Sequence, residues 1–400
     1  MALANANMLI RNVQMFDGRS PEVLVRDILV ENGVIREIGS NLAGGDSTSD
    51  FAGSFLMPGM IDNHCHAYGI GLNMLQMESS KKSYVALKGA KRLARALSRG
   101  FTTVRDVAGG DIGLARAIDE GVISTPNYFY TGPALSQTGG HGDPRDANFD
   151  LCCRDNHGVE VVDGVENLRV AVRERFRTGA HAIKIMASGG VVSLTDPLRI
   201  TQYSAEEISV VAQESRRRGS YVAAHAYTAD AVIHAVTNGV RSIEHGNLID
   251  AKAAEIMAEN EAVLVPTLIT YAAMAEHGES LGMTSIALSK NAEVLDAGRK
   301  AIELATSAGV MVGFGTDLMG DLESQQLQGL KVQHEVQGTL ELLRSVTSRN
   351  AAILGVNNLG VIEVGAQADF LILKRNPFDD PSILWNESAK RVVMKHGLVI

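Results

Sequence analysis

The chain is poor in cysteine and in aromatic residues, and it has no long apolar run. Cys65, Cys152 and Cys153 are the only cysteines in 400 residues. An odd, sparse set gives no disulfide framework and fits a reducing compartment. No apolar run reaches about 18 residues, so no membrane span is expected. The opening stretch MALANANMLIRNVQMFDG has no basic region followed by a long apolar one. No secretory signal is therefore expected, and the expected location is cytoplasmic. A net charge of −9 argues against a nucleic-acid partner, because phosphate binding needs clustered Lys and Arg. The one dense basic cluster, ESRRRG at 214–219, closes a helical stretch, where positive charge complements the helix end. A glycine-rich phosphate turn after a first strand is also missing; SGGVVS at 188–193 is not one. A doubly wound nucleotide-binding sheet loses its main support.

What remains is a soluble globular composition, with 45% hydrophobic and 21% charged residues, long enough for one large domain or two ordinary ones. Residues 8–56 alternate apolar and polar over short runs, with Asn32-Gly33 between two of them, a hairpin signal. The last forty residues have the same character. Each end is too short to bury a core alone, so the two are expected to pair as one small β-sandwich domain, 1–56 plus 361–400. Between them, over 57–360, short apolar β-rich runs alternate with helical ones. Strands are expected at 57–64, 101–106, 127–132, 181–186, 221–225, 240–245, 262–267 and 311–316. Several of the intervening helices open on Ser, Thr or Asp and most close on Gly. Eight such repeats point to a (β/α)8 TIM barrel in the α/β class.

Metal-capable residues fall at the ends of these strands. His64 and His66 end the first, in PGMIDNHCHAYG; Lys184 lies in the fourth; His225, His245 and Asp317 end the fifth, sixth and eighth. In a barrel, C-terminal strand ends converge on one mouth, where active sites lie. Strand alternation turns His64 and His66 to one side and Cys65 to the other. Imidazole and carboxylate suit Zn²⁺, and Mn²⁺ or Co²⁺ can take the same donors. Each residue alone has a plainer reading as a strand cap or turn residue, and it is their conjunction that points to a site. Lysine is rare in an apolar strand. In a metal-lined lumen Lys184 is either a neutral amine or, after reaction with CO₂, a carbamate; the alternative is a lysine snorkelling to solvent. The remaining histidines, among them His157, mostly fall in loops or helices.

The segments MPGMIDNHCH, IKIMASGG, AAHAYT, IEHGN and FGTDL, in that order, resemble the amidohydrolase superfamily. The likeness covers nearly the whole chain. It implies a (β/α)8 barrel with a β-sandwich built from both termini. It also implies that His64 and His66 bind the more buried of two divalent metal ions, that Asp317 completes that site, and that His225 and His245 bind the second. Lys184 would be carboxylated and bridge the two, the mark of the binuclear subtype. No ligand position is missing, which argues against a non-catalytic, scaffold-like relative. TGGHGD, HAYT and GTDLMGDLESQQ resemble the imidazolonepropionase-related dipeptidase branch, with its prolidase-like enzymes and Xaa-Arg/Lys carboxypeptidases. That branch implies an L-Xaa-L-Xaa dipeptide substrate, with Xaa-Pro preferred here, and a homo-oligomer. The alternatives are the Xaa-Arg/Lys carboxypeptidase activity or another hydrolase on a cyclic amide, lactone or N-acyl amino acid.

Two nearby ions sharing one water would lower its pKa. Asp317 would take the attacking hydroxide's proton and hand it to the leaving amine. His141, after two glycines, is expected to touch substrate. Tyr227, two residues beyond His225, faces the same mouth or packs on a loop. Arg199 is either a carboxylate clamp or a surface ion-pair partner. Residues 136–163 suit a lid or substrate loop.

Overall fold

The computed structural model describes residues 7–145, 158–193 and 196–400. The alternating N-terminal segment forms β1 (Met8–Met15), β2 (Leu24–Glu31), β3 (Val34–Gly39), β4 (Ser47–Asp50) and β5 (Phe55–Pro58). The hairpin between β2 and β3 turns at Asn32 and Gly33, with φ of 54° and 75°. Positive φ at both positions is what a two-residue loop of this twist requires.

The central region supplies β6 (Met60–Cys65), β7 (Phe101–Asp106), β8 (Asn127–Tyr130), β9 (Ala134–Ser136), β10 (Val159–Val161), β11 (Ile183–Met186), β12 (Val222–Thr228), β13 (Ser242–Leu248) and β14 (Val263–Val265). The chain end adds β15 (Phe370–Leu373), β16 (Arg391–Lys395) and β17 (Leu398–Val399). These last three complete the terminal sheet in the order β17-β16-β15-β5-β1-β2-β3, with β4 on β1. The two chain ends therefore do meet in one sheet, over a core of Ile10, Val13, Ile28, Val30, Leu56, Phe370 and Met394.

The parallel strands close a (β/α)8 barrel. β6, β7 and β8 pair in sequence, as do β11, β12, β13 and β14. The gap after β8 is bridged where His181 N donates to Tyr130 O at 3.0 Å and Ile185 pairs with Leu135 of β9. The expected eighth strand is not a regular ladder. Segment 311–317 still joins both neighbours: Gly313 N donates to Leu264 O at 2.8 Å, and Asn63 N to Phe314 O at 3.0 Å. The segment is also crowded, which is why glycine stands at two of its positions. A Cβ on Gly313 would lie 2.5 Å from Asn350 Oδ1, and one on Gly315 would lie 2.4 Å from His64 Cβ. The expected first strand likewise divides at Gly59, where a Cβ would strike Thr102 Oγ1 at 2.1 Å. Its first part belongs to the terminal sheet.

Helices fill the outer ring, several with the expected caps. Ser204 and Glu207 form a capping box on the helix Ala205–Arg217, and Thr228 and Asp250 cap the next two helices. Among the described residues no helix is long and apolar enough to cross a membrane. The expected substrate loop carries β9 at its start and β10 near its end. Its residues 146–157, with Cys152, Cys153 and His157, lie outside the described residues.

Candidate metal centre at the barrel mouth

The strand ends bring every expected site residue to one pocket of about 730 Å³: His64, His66, His141, Lys184, His225, Tyr227, His245 and Asp317 all line it. Asp317 lies at the centre. Its Oδ1 is 2.7 Å from His66 Nε2 and 3.4 Å from His64 Nε2, and its Oδ2 is 4.0 Å from His245 Nδ1. The His225 ring packs 4.6 Å from that of His245 and 4.2 Å from that of His141, centroid to centroid. Cys65 turns away into a cluster with Val85, Leu93 and Val104, as alternation requires. Arg199 is not among the pocket residues and pairs with Glu293 at the surface.

The backbone is strained where it carries this site. His245 has φ of 75° and Asp317 of 52°, a conformation that costs roughly 1–3 kcal/mol per non-glycine residue. At His245 the strain has a visible result. Alternation would send Glu244 inward and His245 outward, yet Glu244 contacts His64 and His245 packs on His64, His225 and Tyr227. Leaving the β region at His245 lets two adjacent residues serve the same interior.

Burial and neighbouring charge set the protonation of the site. Burial alone would raise the Asp317 carboxyl, but the facing His64 and His66 hold it well below its ordinary value. Burial pulls the Lys184 ammonium down to about 8, against the attraction of Glu244 and Asp317. Burial also lowers His141, to about 4, and holds His225 and His245 well below 6.5. His64 is the exception: burial pulls it down, but Asp317 and Glu244 carry it above its ordinary value. A place that attracts a proton between two carboxylates also attracts a metal cation. His64, His245 and Asp317 each offer a donor atom, all within 4.8 Å of one another. Imidazole and carboxylate donors of this kind fit a divalent ion.

Several residues of the site went unnoticed in the sequence. Glu244 accepts His64 Nδ1–H at 2.7 Å and Arg105 Nη2–H at 2.7 Å, and all three side chains are buried. Thr267 Oγ1 lies 2.7 Å from His245 Nδ1 and 3.3 Å from the Tyr271 hydroxyl, which is in turn 3.0 Å from that of Tyr227. Arg92 donates to the carbonyls of His66, Leu318 and Gly320, tying the end of β6 to the turn after Asp317. Arg105 and Glu244 did leave a signal. Each is a charged residue inside an apolar strand, the same oddity that marked Lys184.

Fold and donor set together define a (β/α)8 barrel with a metal-capable pocket at its C-terminal mouth. The chain belongs to the amidohydrolase family, whose model it matches over residues 55–399. It is 34% identical over 370 residues to the ochratoxinase of Aspergillus niger, covering 86% of this chain and 75% of that protein. Among solved structures it is similar to a prolidase complexed with N-methylphosphonate-L-proline, with 40% identity, a TM-score of 0.96, and 98% of this chain and 99% of the other covered. A Xaa-Pro dipeptidase with bound methionine in its active site is 28% identical, with a TM-score of 0.88 over 99% and 100% of the two chains.

Proposed function

We propose that this hydrolase is a binuclear zinc dipeptidase that cleaves the amide bond of L-Xaa-L-Pro. The observation that carries the reading is the convergence of His64, His66, Lys184, His225, His245 and Asp317 on one pocket. The likeness to a prolidase across 98% of the chain points the same way. His64, His66 and Asp317 would hold one ion, and His225 and His245 the other, with Lys184 between them. Bound ions of this kind supply Lewis acidity, acidifying a water and polarising the scissile carbonyl. A lysine amine held near 8 has a neutral fraction at physiological pH. Its nitrogen can add to CO₂ and lose a proton, leaving a carbamate whose negative charge suits a place among cations.

The chain's own residues then have separate tasks. The Asp317 carboxylate, ionised and centred among the imidazoles, accepts the proton of the attacking water and returns it to the leaving nitrogen. Proline leaves through its imino nitrogen, which needs that proton. Tyr227, whose hydroxyl is already braced by Tyr271, offers a hydrogen bond to a substrate oxygen. His141 lies on the opposite loop, with its Nδ1 2.9 Å from Ser193 Oγ, and faces the same space. A second reading, hydrolysis of an N-acyl amino acid, is favoured by one feature of the pocket. Met74, Met77, Met186, Met274 and Met319 line it, and methionine adapts to apolar groups of varied shape. The test is a library of L,L-dipeptides and N-acyl amino acids offered to zinc-loaded protein. Release of proline from Xaa-Pro is expected. Turnover of N-acyl amino acids with no L,L-dipeptide cleaved would overturn the dipeptidase reading in favour of the second.

A further inference from the structure

Below the pocket the barrel interior is ionic, where an apolar layer is the usual filling. Glu244 and Arg105 have no exposed surface. One oxygen of Glu244, Oε2, lies 2.7 Å from His64 Nδ1. The other, Oε1, accepts from Arg105 Nη2 at 2.7 Å and from the Ser242 hydroxyl at 2.6 Å. Arg105 reaches further: its Nε donates to the carbonyl of Asn63 at 2.6 Å and its Nη1 to the Tyr221 hydroxyl at 3.2 Å. His64 is thus gripped twice, through its ring by Glu244 and through the preceding peptide by Arg105. A buried ion pair adds little stability over apolar residues of the same volume, so its position directly beneath His64 needs another explanation.

An imidazole free at both nitrogens has two tautomers and two ring orientations. Once Nδ1–H is given to Glu244, the atom left for the pocket is Nε2, which is the one facing Asp317 at 3.4 Å. We propose that Glu244, paired with Arg105, is the positioning residue that presents His64 Nε2 to a divalent cation. This rests on the metal reading made under Proposed function.

The test measures metal uptake rather than turnover. Metal-free protein is titrated with Zn²⁺ against a chromophoric chelator, and the visible spectrum of the Co²⁺ form is recorded. Near-UV circular dichroism reports the fold. Glu244→Gln is expected to weaken one Zn²⁺ site 10- to 100-fold, the usual effect of removing such a partner, and to shift the Co²⁺ bands. Glu244→Gln leaves a buried guanidinium unpaired, so a second variant, E244Q/R105M, removes both charges. It should show the same loss as E244Q and not a larger one, because the two residues act as one unit. It also carries the test if E244Q fails to fold. Folded variants that bind Zn²⁺ like the unaltered protein, with unchanged Co²⁺ bands, would overturn this inference alone. Absence of Zn²⁺ uptake by the unaltered protein would overturn the metal reading and this inference with it.

Discussion

In the terminal sheet, Ile10, Ile28, Val30, Phe370 and Met394 are buried in one apolar cluster. At the barrel mouth, His64, Lys184, His225 and His245 are buried about as deeply, but among one another and around a carboxylate. The first region packs apolar side chains against one another, and its buried Asp27 is satisfied by the amides of Asn12 and Leu42. The second gathers charges in a low-dielectric interior and holds two residues at positive φ. Burial stabilises the fold in the sheet, whereas at the mouth the same burial opposes every ionised group it encloses. A substitution should therefore act on stability in one region and on chemistry in the other.

The sharpest way to break that contrast is Asp317→Asn. It removes the proposed proton acceptor while keeping the shape, so kcat on the best dipeptide should fall about 10³-fold or more, with little change in the urea midpoint. Near-normal kcat would refute the proton-transfer role. Phe370→Ala should do the reverse. A buried phenylalanine truncated in a packed core costs about 3–5 kcal/mol, measured by urea unfolding, while Zn²⁺ stoichiometry per folded molecule stays unchanged.

Lys184→Met probes the boundary between the two behaviours. In metal-free, CO₂-free protein it should raise stability by on the order of 2 kcal/mol at pH 7, and Zn²⁺ uptake should drop. The sign follows from a lysine lowered to about 8 by burial. Between about 8 and 10.5 the unfolded chain holds the extra proton, so the unaltered protein regains stability as pH rises through that window. The advantage of the Met variant should shrink across it, as unfolding midpoints at pH 7 and pH 10 would reveal; a constant advantage would argue against a titrating amine. The smallest effect is expected from Tyr227→Phe, which loses the proposed bond to substrate and the one from the Tyr271 hydroxyl, itself still in contact with Thr267. It should cost about tenfold in kcat/KM and leave the melting temperature nearly unchanged.

Much of both regions was readable in the sequence because local patterns carry it. Alternation and Asn32-Gly33 foretold the hairpin, and His-x-His spacing foretold which imidazoles share a side. Other features depend on contacts across the ring. Nothing local to 311–316 announces that Gly313 and Gly315 are squeezed against Asn350 and His64, so a regular strand was expected there. His245 was placed by its position at a strand end, but the turn to positive φ that aims it inward is set by its surroundings. Glu244 and Arg105 went unnoticed although each is a charge in an apolar run, and only their meeting in space gives them a common purpose. Arg199 had two readings, and its neighbour Glu293, 94 residues away, decides between them.

The irregular segment 311–317 is also the seam of the barrel. The amides of Thr316 and Asp317 donate to the carbonyl of His64 at 3.1 and 2.7 Å, so the bonds that shut the ring are made by residues of the pocket itself. Closing the barrel and assembling the site are one event. A chain emerging during synthesis carries His64 and His66 long before residue 317 exists, and until that last segment docks it has no complete trap for metal. On the proposed metal reading, competence to bind is thereby tied to closure of the barrel.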